Sequence, residues 1–111
     1  MEEARSILGF DLKYPKDYSL DSITIYDQYI IEISLNSNSC YIRKSKEKGD
    51  ISGDNNNYSN IATYNIDNTN VVLKGNEKWN LAMWSKGDYS YSIYCNGFTL
   101  EEITYLIENI S

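Results

Sequence analysis

The sequence predicts an α+β domain over residues 1–111: a single antiparallel sheet of about six to seven strands, meander-like, with N- and C-terminal helices and the C-terminal helix packed on one sheet face. Three observations predict it. Short runs such as Ser22 to Tyr26 and Tyr29 to Leu35 alternate in polarity with the period of a half-buried strand. Clusters of Asn, Asp, Gly and Ser break the chain at intervals of roughly 8 to 12 residues, the spacing of hairpins. A capped, amphipathic helical pattern follows Phe98.

Glu2 to Leu8 reads as a short helix with Ala4, Ile7 and Leu8 on one face and Gly9 as its stop. Phe10 to Pro15 alternates like a brief edge strand ended by the only proline. Ser22–Tyr26 and Tyr29–Leu35 form a hairpin around Asp27-Gln28, and Asn36-Ser37-Asn38 turns the chain into a third strand, Ser39 to Lys46, with Ile42 inward. Lys48 to Asn60 is a long polar loop. Ile61–Ile66 and Val71–Lys74 are further strands joined by Asp67-Asn68-Thr69-Asn70, and Gly75-Asn76 leads into a last hairpin.

Two registers compete in that hairpin. An odd loop from Lys86 to Asp88 would unite Trp79, Leu81 and Met83 with Tyr89, Tyr91 and Ile93. A two-residue Lys86-Gly87 loop instead places Ala82 and Trp84 with Tyr89, Tyr91 and Ile93, and makes Trp84–Tyr89 a cross-strand pair. Turn chemistry favours the second, which leaves Trp79, Leu81, Met83 and Tyr94 on the opposite face. In the closing helix Thr99 is the N-cap and Glu102 completes a capping box, with Phe98 and Ile103 as a hydrophobic staple. Leu100, Ile103, Leu106, Ile107 and Ile110 form one apolar stripe, for which the preceding hairpin is the natural cover.

A chain of this length buries roughly 65% of its unfolded surface, enough for a core without staples. The net charge of −6 and pI near 4.5 argue against nucleic acid as a partner. No apolar run is long enough to span a bilayer, so membrane contact is expected only through an anchor outside these residues. Cys40 and Cys95 both fall in strands. They are either small core thiols or a disulfide, and only their separation decides.

The absence of histidine removes Ser-His-Asp and Cys-His catalysis and most zinc sites, so no catalytic residue, metal or cofactor is expected. A carboxylate pair would be the remaining route to a hydrolase, but the acidic residues fall mainly in turns, caps and solvent-facing positions. Asp50, Asp54, Asn55, Asn56 and Asn57 form an oxygen-rich loop that could hold calcium. It lacks the EF-hand pattern and its bidentate Glu, and Asx-turns explain it more simply. Arg43, Lys44, Lys46 and Lys48 could meet anionic polymers or headgroups, though such a run more often is a solvated strand end with lysines guarding an edge. Eleven of the aromatics are tyrosines. Tyr and Trp suit interfaces and sugar stacking, and Tyr58, Trp79 and Tyr94 are the candidate binding residues on the face away from the helix. Most tyrosines otherwise read as core fillers with hydroxyls at the rim.

Gly9-Phe10, Tyr14-Pro15, Gly49-Asp50-Ile51-Ser52-Gly53-Asp54, Leu81-Ala82-Met83-Trp84, Tyr91-Ser92-Ile93 and Leu100-Glu101-Glu102-Ile103 together resemble the bacterial domain of unknown function family 4367. Phe10, Tyr14-Pro15 and Tyr18 are also similar to a PsbP-like pattern. The first resemblance implies an extracytoplasmic C-terminal module of a membrane-anchored protein of Gram-positive bacteria, with no catalytic residues. The expected function is a non-catalytic interaction or sensing module at the cell surface that binds a protein or peptide; the alternative is a carbohydrate or cell-wall binding module acting through exposed Tyr and Trp.

Overall fold

The computed structural model describes residues 2–36, 39–54 and 56–111, with side chains of the first helix from residue 5 onward. The helix α1 (Glu2–Leu8) precedes seven strands: β1 (Leu20–Tyr26), β2 (Ile30–Leu35), β3 (Cys40–Ser45), β4 (Asn60–Ile66), β5 (Thr69–Gly75), β6 (Trp79–Lys86) and β7 (Tyr89–Phe98). The helix α2 (Leu100–Asn109) follows. All seven strands join one antiparallel sheet in the order β1-β2-β3-β7-β6-β5-β4. The expected single meander is therefore two. The chain lays down β1 to β3, crosses through the long loop to the far edge, and returns through β4 to β7 until β7 pairs with β3. Cys40 lies opposite Cys95 across that seam, their Cα atoms 4.3 Å apart, and the two are joined as a disulfide.

The apolar sides of the inner strands face α2. Ile31, Ile33, Leu35, Ile42, Leu73, Ala82 and Ile93 are fully enclosed, and Ile103, Leu106 and Ile107 of α2 close over them. Each buried Ile or Leu among them contributes roughly 1.5 to 3 kcal/mol by leaving water, and the Ala82 methyl less. Glu102 N–H donates to Thr99 Oγ1 at 3.1 Å and Thr99 N–H donates to Glu102 Oε1 at 2.9 Å, so the expected capping box forms. Phe98 and Ile103 are both buried, as a staple requires. Leu100, expected in the stripe, is 39% exposed, because it faces an open cavity beside Tyr64 and Trp79 instead of packed side chains.

Several expectations change. Phe10 to Pro15 is not an edge strand. Lys13 instead exchanges main-chain hydrogen bonds with Ser111 (2.8 and 3.2 Å), and Phe10 and Leu12 plug the core. In α1 Ile7 is exposed while Leu8 packs on the core; Ala4 lies outside the described side chains. The Asn36-Ser37-Asn38 turn lies partly outside the described residues. The last hairpin turns at Gly87-Asp88 rather than Lys86-Gly87, because Gly87 supplies the positive φ (61°) at the first turn position. The pairing moves by two residues, so Trp84 faces Tyr91 and stacks on it with centroids 5.2 Å apart. A shift of two preserves the faces: Ala82 and Trp84 stay with Tyr91 and Ile93.

Trp79 does change face. The pairing slips between Trp79 and Leu81, a bulge that carries Trp79 to the helix side, where it packs on the core. Gly75 makes the neighbouring irregularity possible, since a Cβ there would lie 1.9 Å from the Lys78 carbonyl oxygen. Lys44 is not solvated. It is 6% exposed, donates to the Asp11 carbonyl at 2.8 Å, and sits 4.3 Å from the Tyr89 ring centre, with Phe10 and Tyr91 beyond. Burial lowers its pKa from the usual lysine value.

Candidate functional site

The sheet face away from α2 is roofed in part by the long loop, and a groove of about 390 Å³ opens between them. Its floor follows from strand register. Glu32 of β2 stands opposite Arg43 of β3, which stands opposite Ser92 of β7; one pleat along, Tyr41 stands opposite Tyr94. Residues paired across antiparallel strands share a face, so five polar or aromatic side chains from three central strands converge.

Arg43 organises the floor. Its Nε donates to Glu32 Oε1 at 2.8 Å, its Nη1 donates to the Ile51 carbonyl at 3.2 Å, and its guanidinium lies 4.8 Å from the Tyr26 ring centre. Tyr26 in turn donates to Glu32 Oε2 at 3.0 Å, a bond that raises the phenol pKa. The Arg43 and Glu32 side chains are 21% and 13% exposed, so the pair is shielded but still open to the groove. Gly53 lets the loop approach: a Cβ there would stand 2.7 Å from Arg43 Nη1, and its φ of +69° is one that other residues rarely adopt.

The loop carries the roof. Ile51 is buried beneath it. Ser52 N–H donates to Asp50 Oδ1 at 2.8 Å, Asp54 N–H to Ser52 Oγ at 3.2 Å, and Asn56 N–H to Asp54 Oδ1 at 2.9 Å, a series of side-chain turns. Asp54 also accepts from the Tyr58 hydroxyl. Burial, with that bond, pushes the Tyr58 pKa up to about 12. Of the oxygen-rich stretch, Asp50 and Asp54 serve these turns, and Asn55 lies outside the described residues. Among the described residues no cluster of His, Cys, Asp and Glu has the spacing to hold a metal.

Of the three residues singled out in the sequence, two come together. Tyr94 lines the groove, and Tyr58 stands against its loop wall through its bond to Asp54. Trp79 does not join them. It lies edge-on to Tyr64 (centroids 6.3 Å, 80°) and lines a separate cavity of about 640 Å³ with Phe98 and Leu100. Sequence reasoning passed over Tyr26, Glu32 and Tyr41 as site residues and weighed Arg43 only as part of a basic run. A signal was present: Glu32 and Arg43 are equidistant from the Asn36–Ser39 turn, so a symmetric hairpin pairs them. In chemical terms the groove offers aromatic faces, a shielded ion pair and rim hydroxyls and amides. Its two carboxylates, Glu32 and Asp54, are each already engaged by neighbours. Compared with family models, curated proteins and solved structures, the chain matches none.

Proposed function

We propose that the protein is a non-catalytic, extracytoplasmic interaction module whose Tyr-lined groove receives a peptide or protein segment. The observation that carries this reading is the convergence of Tyr26, Tyr41 and Tyr94 around the Arg43–Glu32 pair in an open groove. Tyrosine and arginine present rigid, amphipathic contact area and dominate the energetics of protein recognition. The Cys40–Cys95 disulfide supports an oxidising compartment, and an anchor outside residues 1–111 would hold the module at a membrane. A second reading, binding of a cell-wall carbohydrate, draws on the hydroxyl and amide groups of Ser52, Asn56 and Ser92 beside the same rings.

The test is selection from a displayed random-peptide library on the intact, oxidised chain, followed by calorimetry of the enriched peptides. Tyr94→Ala and Arg43→Gln should each weaken binding by roughly tenfold or more. Enriched peptides that bind both variants as tightly as the native chain would refute the groove as the site. Retention on wall polysaccharide that Tyr94→Ala abolishes would favour the carbohydrate reading instead.

A further inference from the structure

The two outer edges of the sheet are not equally protected. Edge strands expose unpaired N–H and C=O groups, and proteins guard them with charge, proline or bulges. β1 carries Asp21 and a register irregularity between Leu20 and Ser22. β4, Asn-Ile-Ala-Thr-Tyr-Asn-Ile, carries no charge, no proline and no irregularity against β5. Both edges are seven residues long and bear exposed apolar side chains, Ile61 (65%) and Tyr64 (37%) on β4 among them, so it is the lack of a charge or irregularity that sets β4 apart.

We propose that β4 pairs with β4 of a second copy of this chain, antiparallel, about a two-fold axis at Thr63. The hydrogen-bond phase selects that register. Asp67 and Asn68, both at positive φ (50° and 65°), make a two-residue turn that closes on the Ile66–Thr69 pair. In such a hairpin Ile66, Tyr64 and Ala62 exchange bonds with β5, so Ile61, Thr63 and Asn65 aim theirs outward. Pairing Thr63 with the second copy's Thr63 sets Ile61 opposite Asn65 and Asn65 opposite Ile61, and every outward group then finds a partner. The side chains agree. Thr beside Thr is a favourable cross-strand pair, and the large Tyr64 falls opposite the small Ala62.

Charge agrees as well. The chain as a whole is at −6, which opposes self-association, but β4 itself brings no like charges together. Lys74 lies beside Ile61 on β5, and Glu77 and Lys78 follow at that end of the strand; Asp67 stands at the other end. The two-fold lays the net-basic end of one copy against the acidic end of the other. A closed symmetric contact of this kind consumes the β4 edge of both copies and leaves only the two β1 edges, guarded by Asp21 and their irregularity, outermost.

The experiment is sedimentation of the full chain over a concentration series, native and with Thr63→Lys, Thr63→Glu and an equimolar mixture of the two. The native chain should double in mass, each variant should sediment as a monomer with an unchanged circular dichroism spectrum, and the mixture should regain the doubled mass. A native chain that stays monomeric to its solubility limit overturns the proposal. So does a dimer that both variants retain, and loss without rescue in the mixture excludes an axis at Thr63.

Discussion

Lys44 and Tyr58 show how strongly one side chain's environment departs from what its neighbours in sequence suggest. Lys44 belongs to a basic run, yet strand alternation turns it to the core side between Ile42 and the plug formed by Phe10. Its ammonium is tolerated there because the Asp11 carbonyl and three aromatic rings replace water. Tyr58 is an acid whose pKa is raised in the folded chain, from 10.0 to about 12. The folded state therefore holds its proton more tightly than the unfolded state, and its stabilising effect is complete below pH 10 and lost as pH rises toward about 12. Tyr18, Tyr26, Tyr91 and Tyr105 are shifted in the same direction. Denaturant titrations across this alkaline range should show stability falling, and Tyr58→Phe should fall less steeply than the native chain. Equal slopes would show that the Tyr58 proton is not linked to folding.

At the level of elements, the turns and bulges decide which face a residue serves. The β5–β6 connection is the most constrained of them, because Gly75 meets the Lys78 carbonyl and leaves no room for a side chain. Gly75→Ala should cost roughly 2 to 4 kcal/mol by forcing the backbones apart, measurable by chemical denaturation. A loss below about 0.5 kcal/mol, the level of an ordinary surface change, would show that the connection relaxes freely. The same irregular region carries Trp79 across the sheet, which is why a strict two-residue alternation assigned it to the wrong face. Helix α2 needed no such context. Thr99, Glu102 and the apolar spacing from Ile103 to Ile110 are local features, and they form the cap and buried stripe that local rules describe.

Over the whole molecule, two meanders meet at one seam between β3 and β7, and the disulfide closes the 55-residue separation between them. In the chain-entropy account a closed loop of that length removes about 4 kcal/mol of unfolded-state freedom. Reduced and alkylated protein, compared with the oxidised chain in urea, should be less stable by about that amount. Equal midpoints would mean that the seam holds without the covalent link. The same topology places the groove, since the crossing from β3 to β4 lays Ser52, Gly53, Asp54 and Asn56 over the face that α2 leaves open.

Strand alternation, turn residues and helix capping are short-range, so the sequence by itself determined the α+β class, nearly every strand, and α2 with its buried face. The sequence also determined that any site would be built without histidine. Tertiary structure alone decided the strand order, the Cys40–Cys95 pairing, the burial of Lys44 and the meeting of Tyr26, Glu32, Arg43 and Tyr94. Those depend on contacts between residues tens of positions apart, where bulges and crossings set which side chains meet, and no local periodicity encodes that choice.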